Sequence, residues 1–276
     1  MKQFFYRYES SFIFSSPVSA HSWLLRCLPK EEPFQRVERA QMRASVVRAD
    51  GDVGDVDLPV CFGCDAFGNA VQTGYVSESH LRFSVVSEGV VRQTPYRICD
   101  AAHGMYLEHT ALTLPDGSME RFAGQSCGRK EVWPEELFPG GPVTEKALSL
   151  CSAVHAYMTY APGVTTVNTT ASQAFALGRG VCQDYAHVLI ALLRSRSIPA
   201  RYACGYLVGE GATHAWVEFF DQGVWRGLDP TNNRLLRYGC IKVAHGRDSS
   251  DCSVNRGVFS GRAAQQNTLD IKVEEQ

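Results

Sequence analysis

The chain has 276 residues, 45% hydrophobic and 20% charged, enough apolar material for a core and too much for wholesale disorder. Its 27 basic and 29 acidic residues leave a formal charge of −2, which provides no electrostatic footprint for nucleic acid or an anionic membrane surface. No apolar run reaches the roughly 18 residues of a spanning helix. Arg7, Glu9, Ser10 and Ser11 interrupt Phe4-Phe5 before a signal-peptide core can form, which points to a cytoplasmic protein. Ten irregularly spaced cysteines in such a chain read as mostly reduced, buried thiols.

The first hundred residues are rich in short aromatic and β-branched segments: 4–14, 23–28, 35–47, 56–62, 69–76 and 80–91. Turn-forming stretches separate them, at Ser15-Ser16-Pro17, Asp50-Gly51-Asp52 and Phe67-Gly68-Asn69. Strands at this spacing predict a β-sandwich. The pattern weakens from Pro95 to Thr113, which places a domain boundary there, with residues 1–100 as one domain and 101–276 as the other. Helical periodicity then predicts a helix over 144–160, with Thr144 as its N-cap and Pro162-Gly163 as its stop. A short helix over 172–177 ends at Gly178, and a third runs from Cys182 to about Ser195 with Val188, Leu189, Leu192 and Leu193 as its apolar stripe. Strands follow at 201–208, 213–220, 224–229, 240–243 and 269–273. The fold class is α+β.

Three stretches concentrate chemistry: Gly180-Val181-Cys182-Gln183-Asp184-Tyr185-Ala186-His187, Thr213-His214-Ala215-Trp216, and Leu228-Asp229-Pro230-Thr231. Cys182 opens a predicted helix, where unpaired N–H groups favour a thiolate. Asp184 lies in the same turn and partly offsets that field. His214 would take and return the proton, and Asp229 would hold the second ring nitrogen. The Cys182 N–H is a natural oxyanion donor, and Asn168 and Gln173 are candidates for the second. If strands 213–220 and 224–229 form a hairpin, His214 and Asp229 share a face only when paired residue numbers give an odd total. A four-residue loop from Phe220 to Gly223 would set them directly opposite, a two-residue loop at Gln222-Gly223 would make them diagonal neighbours, and an unbulged three-residue loop would put them on opposite faces.

The run from Asn168 to about Gly261 resembles the transglutaminase-like superfamily, which has a papain-like fold. The resemblance rests on the Cys182–His187 motif, Arg194 with Ile198-Pro199-Ala200-Arg201-Tyr202, Gly205-Tyr206, His214-Ala215-Trp216, Asp229-Pro230-Thr231-Asn232-Asn233 and Gly246-Arg247-Asp248. The first hundred residues resemble the β-rich N-terminal domain of bacterial members, with Asp65-Ala66-Phe67-Gly68-Asn69 as marker. The resemblance implies a Cys182 nucleophile, a His214 base and an Asp229 orienter. Ser197 stands where family members often have a glycine.

Other motifs have plainer readings. His187 lies about 140° round the helix from Cys182 and is a packing or hydrogen-bonding residue. Trp216 shields the ion pair or is a core aromatic. Cys61-Phe-Gly-Cys64 lacks a second ligand pair for zinc and a βαβ context for redox work. Cys151 and His155 at i, i+4 lack an acidic orienter and read as structural. The acidic run Asp50–Asp57 does not fit a calcium loop and reads as an exposed turn. The sequence thus predicts acyl transfer at a peptide or protein amide through a thioester, with no metal or organic cofactor and no nucleic-acid or membrane partner. Hydrolysis, as a cysteine peptidase or amidase, is preferred to transamidation, because water is always present while an amine acceptor needs its own dry site. A non-catalytic binding module is the third reading.

Overall fold

The computed structural model of the protein describes residues 1–49, 54–126 and 142–276. Strand β1 (Lys2–Leu25) is 24 residues long and continues through Ser15-Ser16-Pro17, where the sequence suggests a turn. The chain absorbs the proline in a bulge. Pairing shifts register between Ile13 and Val18, and Ala20 takes a φ of 47°. Phe4, Tyr6, Tyr8 and Ser10 are buried before the bulge, and His21, Trp23 and Leu25 after it. β2 (Gln35–Arg48), β3 (Asp55–Leu58), β4 (Cys61–Cys64), β5 (Ala70–Val76) and β6 (His80–Gln93) follow. Pro59 splits the segment expected over 56–62 into β3 and β4.

These strands form one sheet in the order β3-β2-β6-β1-β5-β4. The first half of β1 pairs with β6 and the second with β5, so β1 is the spine of two wings. The wings meet through ring contacts of Phe83 with His21 and Trp23, at 4.9 and 5.5 Å between centroids. The turn at Asp50-Gly51-Asp52 lies outside the described residues. Of the acidic run that contains it, Asp55 pairs with Arg82 at 2.5 Å and Asp57 with Arg43 at 2.6 Å.

The second half begins with β7 (Ile98–Cys99), α1 (Gly117–Ser126), α2 (Pro142–Tyr157), β8 (Thr159–Tyr160), α3 (Ala171–Leu177), β9 (Arg179–Gly180) and α4 (Cys182–Ser195). α2 includes Pro142, a residue suited to a first helical turn. Thr144 is therefore inside the helix, and its hydroxyl donates to Asp221 Oδ2 at 2.6 Å instead of capping. Then come β10 (Ala200–Leu207), β11 (Thr213–Asp221), β12 (Val224–Asp229), β13 (Arg234–Leu235) and β14 (Cys240–Gly246). They form an antiparallel sheet in the order β13-β12-β11-β10-β14, with β7 on β12. α4 lies on it with Val188, Leu189, Leu192 and Leu193 fully buried.

The last strands, β15 (Asn255–Ser260) and β16 (Gln265–Glu275), both pair with β1. A division at residue 100 would assign them to the second domain, whereas the chain returns to the first sheet. On β16 only Ile271 and Val273 are buried, so its pattern marks a strand without marking its destination. One buried cluster runs from Phe4, Tyr6 and Tyr8 through Tyr206 to Leu189 and Val217. Tyr206 stacks on Tyr6 and Tyr8 at 5.7 and 5.6 Å.

Candidate active site

Cys182 is the first residue of α4, and the preceding turns deliver it there. A Thr170–Gln173 capping box starts α3, and Gly178 ends it in the left-handed conformation, at a φ of 60°. β9 then pairs with β8 in parallel, which sets Tyr160 beside Gly180. Val181 is extended, and its N–H donates to Asp184 Oδ2 at 2.7 Å. The Thr165 hydroxyl donates to the same oxygen at 2.7 Å. Position 180 needs glycine, because a Cβ there would lie 2.5 Å from that carboxylate. Burial raises the Asp184 pKa, and the hydrogen bonds from Val181 and Thr165 work against it. Asp184 is thus the back-reaching cap of α4. Cys182 is partly buried and is the first residue of α4, in the turn whose N–H groups lack intrahelical partners.

Gln222 and Gly223 both have positive φ, 50° and 81°, the two-residue turn that matches the twist of paired strands. Val217 therefore faces Leu228 and Asp221 faces Val224, an odd total that leaves His214 and Asp229 as diagonal neighbours on one face. His214 Nε2 is 3.0 Å from Asp229 Oδ2, with the N–H not aligned on the oxygen. Nδ1 is 3.0 Å from Glu210 Oε2, and the ring lines the same cavity as Cys182. Burial disfavours charge on this ring, but Asp229, Cys182 and Glu210 together outweigh it and raise the pKa to about 12.

Asp229 is fully buried and richly satisfied. Its Oδ1 accepts the N–H groups of Thr231 and Asn232 at 3.1 and 3.2 Å. Its Oδ2 accepts Asn232 Nδ2 at 2.8 Å and Arg234 Nε at 3.1 Å. Burial alone would raise this carboxyl's pKa, and His214, Asn232 and Arg234 bring it below the ordinary value. α2 steadies the turn after it: His155 Nδ1 lies 3.2 and 3.0 Å from the carbonyls of Pro230 and Thr231, and Ser152 donates to Asn233 at 2.9 Å.

A cavity of about 640 Å³ opens over the sulfur and the ring, with Tyr160, Asn168, Tyr202 and Arg256 in its wall. Of the two oxyanion candidates, Asn168 is on this wall, while the Gln173 side chain is committed to the α3 cap. Tyr160, Glu210 and Arg234 are site residues the sequence reading missed. Tyr160 sits on a two-residue strand and Glu210 in a loop, where no periodicity marks them. Arg234 was adjacent to a recognised motif, and that position was the only available signal. His187 is buried, and its Nε2 accepts the Ser249 N–H at 3.2 Å. Trp216 is a core residue whose indole donates to Tyr96 Oη at 2.9 Å. Cys61 and Cys64 are exposed on β4.

Residues 136–230 match the family model of the transglutaminase-like superfamily, and residues 5–92 match the bacterial transglutaminase-like N-terminal region. The chain belongs to the transglutaminase-like superfamily. The superfamily match contains Cys182, His214 and Asp229. An uncharacterized protein of Mycobacterium tuberculosis is 28% identical over 241 residues, 76% of this chain and 75% of that one. An uncharacterized protein of Mycobacterium leprae is 42% identical over 125 residues, 42% of this chain and 44% of that one. The crystal structure of a candidate cysteine protease from Cytophaga hutchinsonii shares the fold, with a TM-score of 0.77 at 20% identity over 99% of this chain and 90% of that one.

Proposed function

We propose that this superfamily member is a thiol-dependent acyl-transfer enzyme acting at amide bonds, and that its reaction is hydrolysis, as in a cysteine peptidase or amidase. The observation that carries the proposal is that Cys182 of α4 and His214 of β11 line one 640 Å³ cavity, with the buried Asp229 of β12 at 3.0 Å behind the ring. Cys182 is the nucleophile. His214 takes the thiol proton, and Asp229 holds the ring at Nε2. The sulfur attacks the carbonyl carbon, and the oxyanion forms against the Cys182 N–H. The C–N bond then breaks as the imidazolium passes its proton to the departing nitrogen, leaving a thioester. Water, deprotonated by the neutral imidazole, releases the acid and regenerates the thiol.

Hydrolysis is preferred because transamidation needs an acceptor site that excludes water. The Cytophaga hutchinsonii neighbour, described as a candidate cysteine protease, agrees with that preference. The substrate is a peptide or protein amide, and the setting is the cytoplasm, where Cys27, Cys61, Cys64, Cys99, Cys182, Cys204, Cys240 and Cys252 stay reduced. The test is mass spectrometry of the intact protein and its products after incubation with a peptide library, with and without a primary amine. Cleaved peptides and an acyl adduct on Cys182 in both arms support hydrolysis, whereas products that carry the amine make the protein a transglutaminase. Iodoacetamide at pH 6 separates both from a binding module: selective labelling of Cys182 is expected, and equal labelling of every exposed thiol contradicts catalysis. Cys182→Ala is expected to abolish turnover, and His214→Ala to lower it by about 10³-fold or more.

A further inference from the structure

His214 stands inside a line of alternating charge that is longer than the three proposed catalytic groups. From the loop between β10 and β11, Glu210 Oε2 is 3.0 Å from Nδ1. From β12, Asp229 Oδ2 is 3.0 Å from Nε2. The same Oδ2 accepts Arg234 Nε at 3.1 Å. The order is therefore Glu210, His214, Asp229, Arg234: anion, cation, anion, cation. The inner two are buried, while the side chains of the outer two are 36% and 44% exposed. Among the described residues, the other ionisable groups lining the cavity with the ring are Cys182 on α4, Tyr160 on β8, Tyr202 and Cys204 on β10, Cys252, and Arg256 on β15. Burial raises the pKa of the Cys240 thiol on β14, with smaller electrostatic effects of Arg234, Asp229 and Glu210.

We infer, on the reading of His214 as the proton carrier, that Glu210 and Arg234 are positioning residues acting in opposition on that ring. Glu210 holds the proton at Nδ1. Arg234 shares the Asp229 oxygen that faces Nε2, takes up part of its negative charge, and so loosens the proton. The opposition matters for the chemistry. Amide cleavage requires the ring to surrender its proton to the departing nitrogen as the C–N bond breaks, and an imidazolium held by two unopposed carboxylates would retain it. Glu210 also occupies the approach to Nδ1 that the departing nitrogen needs. Gly209, at a φ of 84°, and Gly211 flank it, so its loop has the backbone freedom to carry the carboxylate aside.

The test is a pH titration of the full chain labelled with ¹³C,¹⁵N-histidine, the His214 ring signals being identified by their loss in His214→Asn. A single charge at contact distance shifts such a midpoint by about one to three units, and solvent screening of the two outer groups favours the lower end. Glu210→Gln is expected to lower the midpoint by about one unit, and adding Arg234→Gln to that variant is expected to raise it again by about one unit. Midpoints that stay put, or that move the same way in both steps, overturn the inference. Glu210→Asp, which retracts the carboxylate, is expected to move the midpoint down by less and replaces Glu210→Gln if that variant does not fold. The titration needs no turnover. Unselective iodoacetamide labelling with the expected shifts would remove the enzymatic reading and leave the charge line standing. Selective labelling with unmoved midpoints would do the reverse.

Discussion

His187 shares a motif with Cys182, yet the fold gives it different work. It is buried with its Nε2 on the Ser249 N–H, and burial pushes its pKa down to about 4, with Asp248 working weakly against the shift and Arg194 adding to it. The folded value lies below the ordinary 6.5, so between the two the unfolded chain binds the extra proton. The stabilisation from keeping this ring neutral is complete above about pH 6.5 and is lost as pH falls toward 4, for a total of about 3 kcal/mol. Urea unfolding should therefore show a smaller loss of stability between pH 7 and about 4.5 in His187→Gln than in the parent, by about 2 kcal/mol. Identical pH slopes in the two proteins would refute this. Asp184 makes the same point without titration: a first-turn acid that in sequence only offsets the field at the thiol is the hydrogen-bonded cap that sets where α4 begins.

At the scale of the element, the end of α4 shows how a local rule and its exception meet. Ser197 N–H donates to the Arg194 carbonyl and Ile198 N–H to the Leu193 carbonyl, the paired bonds of a Schellman motif. That motif puts Ser197 in the left-handed region, at a φ of 57°. Most L-residues lose about 1–2 kcal/mol there, a cost that a glycine would avoid. Ser197→Gly should stabilise the protein by about 0.5–1 kcal/mol, after the cost of glycine's extra freedom in the unfolded chain. Denaturant unfolding at neutral pH checks it, and a variant less stable than the parent would show that the serine side chain contributes more than its backbone strain costs.

Across the whole molecule, buried polar contacts join the two sheets. Lys242 on β14 is fully buried, 2.7 Å from Glu32 of the β1–β2 connection and 2.8 Å from Glu218 on β11. Arg201 pairs with Glu218 at 2.5 Å, and Tyr96 donates to it. Asp65 accepts the N–H groups of Phe67 and Asn69, and the Asn69 side chain exchanges two hydrogen bonds with the His245 backbone, at 2.8 and 3.0 Å. The N-terminal sheet thereby braces the strands that hold His214. Removing one member of a buried ion cluster leaves the others uncompensated, so Lys242→Met should cost about 3–5 kcal/mol. Adding Glu32→Gln should recover part of that loss. Guanidinium unfolding measures both, and a cost under about 1 kcal/mol would show that the cluster does not couple the sheets.

The sequence by itself determined the elements whose signals are local. The predicted starts of α4 and β12 coincide with the observed ones, because Gly178-Arg179-Gly180, an apolar stripe and a hairpin turn each act within a few residues. The same local signals mark Cys182, His214 and Asp229, and strand alternation limits a hairpin that joins them to odd-total registers, of which the Gln222-Gly223 turn selects one. Tertiary structure alone decided which strand each edge would meet. It sent β15 and β16 back to β1, carried β1 through Pro17, and set Glu210, Arg234 and Tyr160 around the ring. Alternation tells a strand which face to bury but not which neighbour to join. That choice comes from long-range packing, which a stretch such as Gln265–Glu275, with two buried side chains, does not record in its own residues.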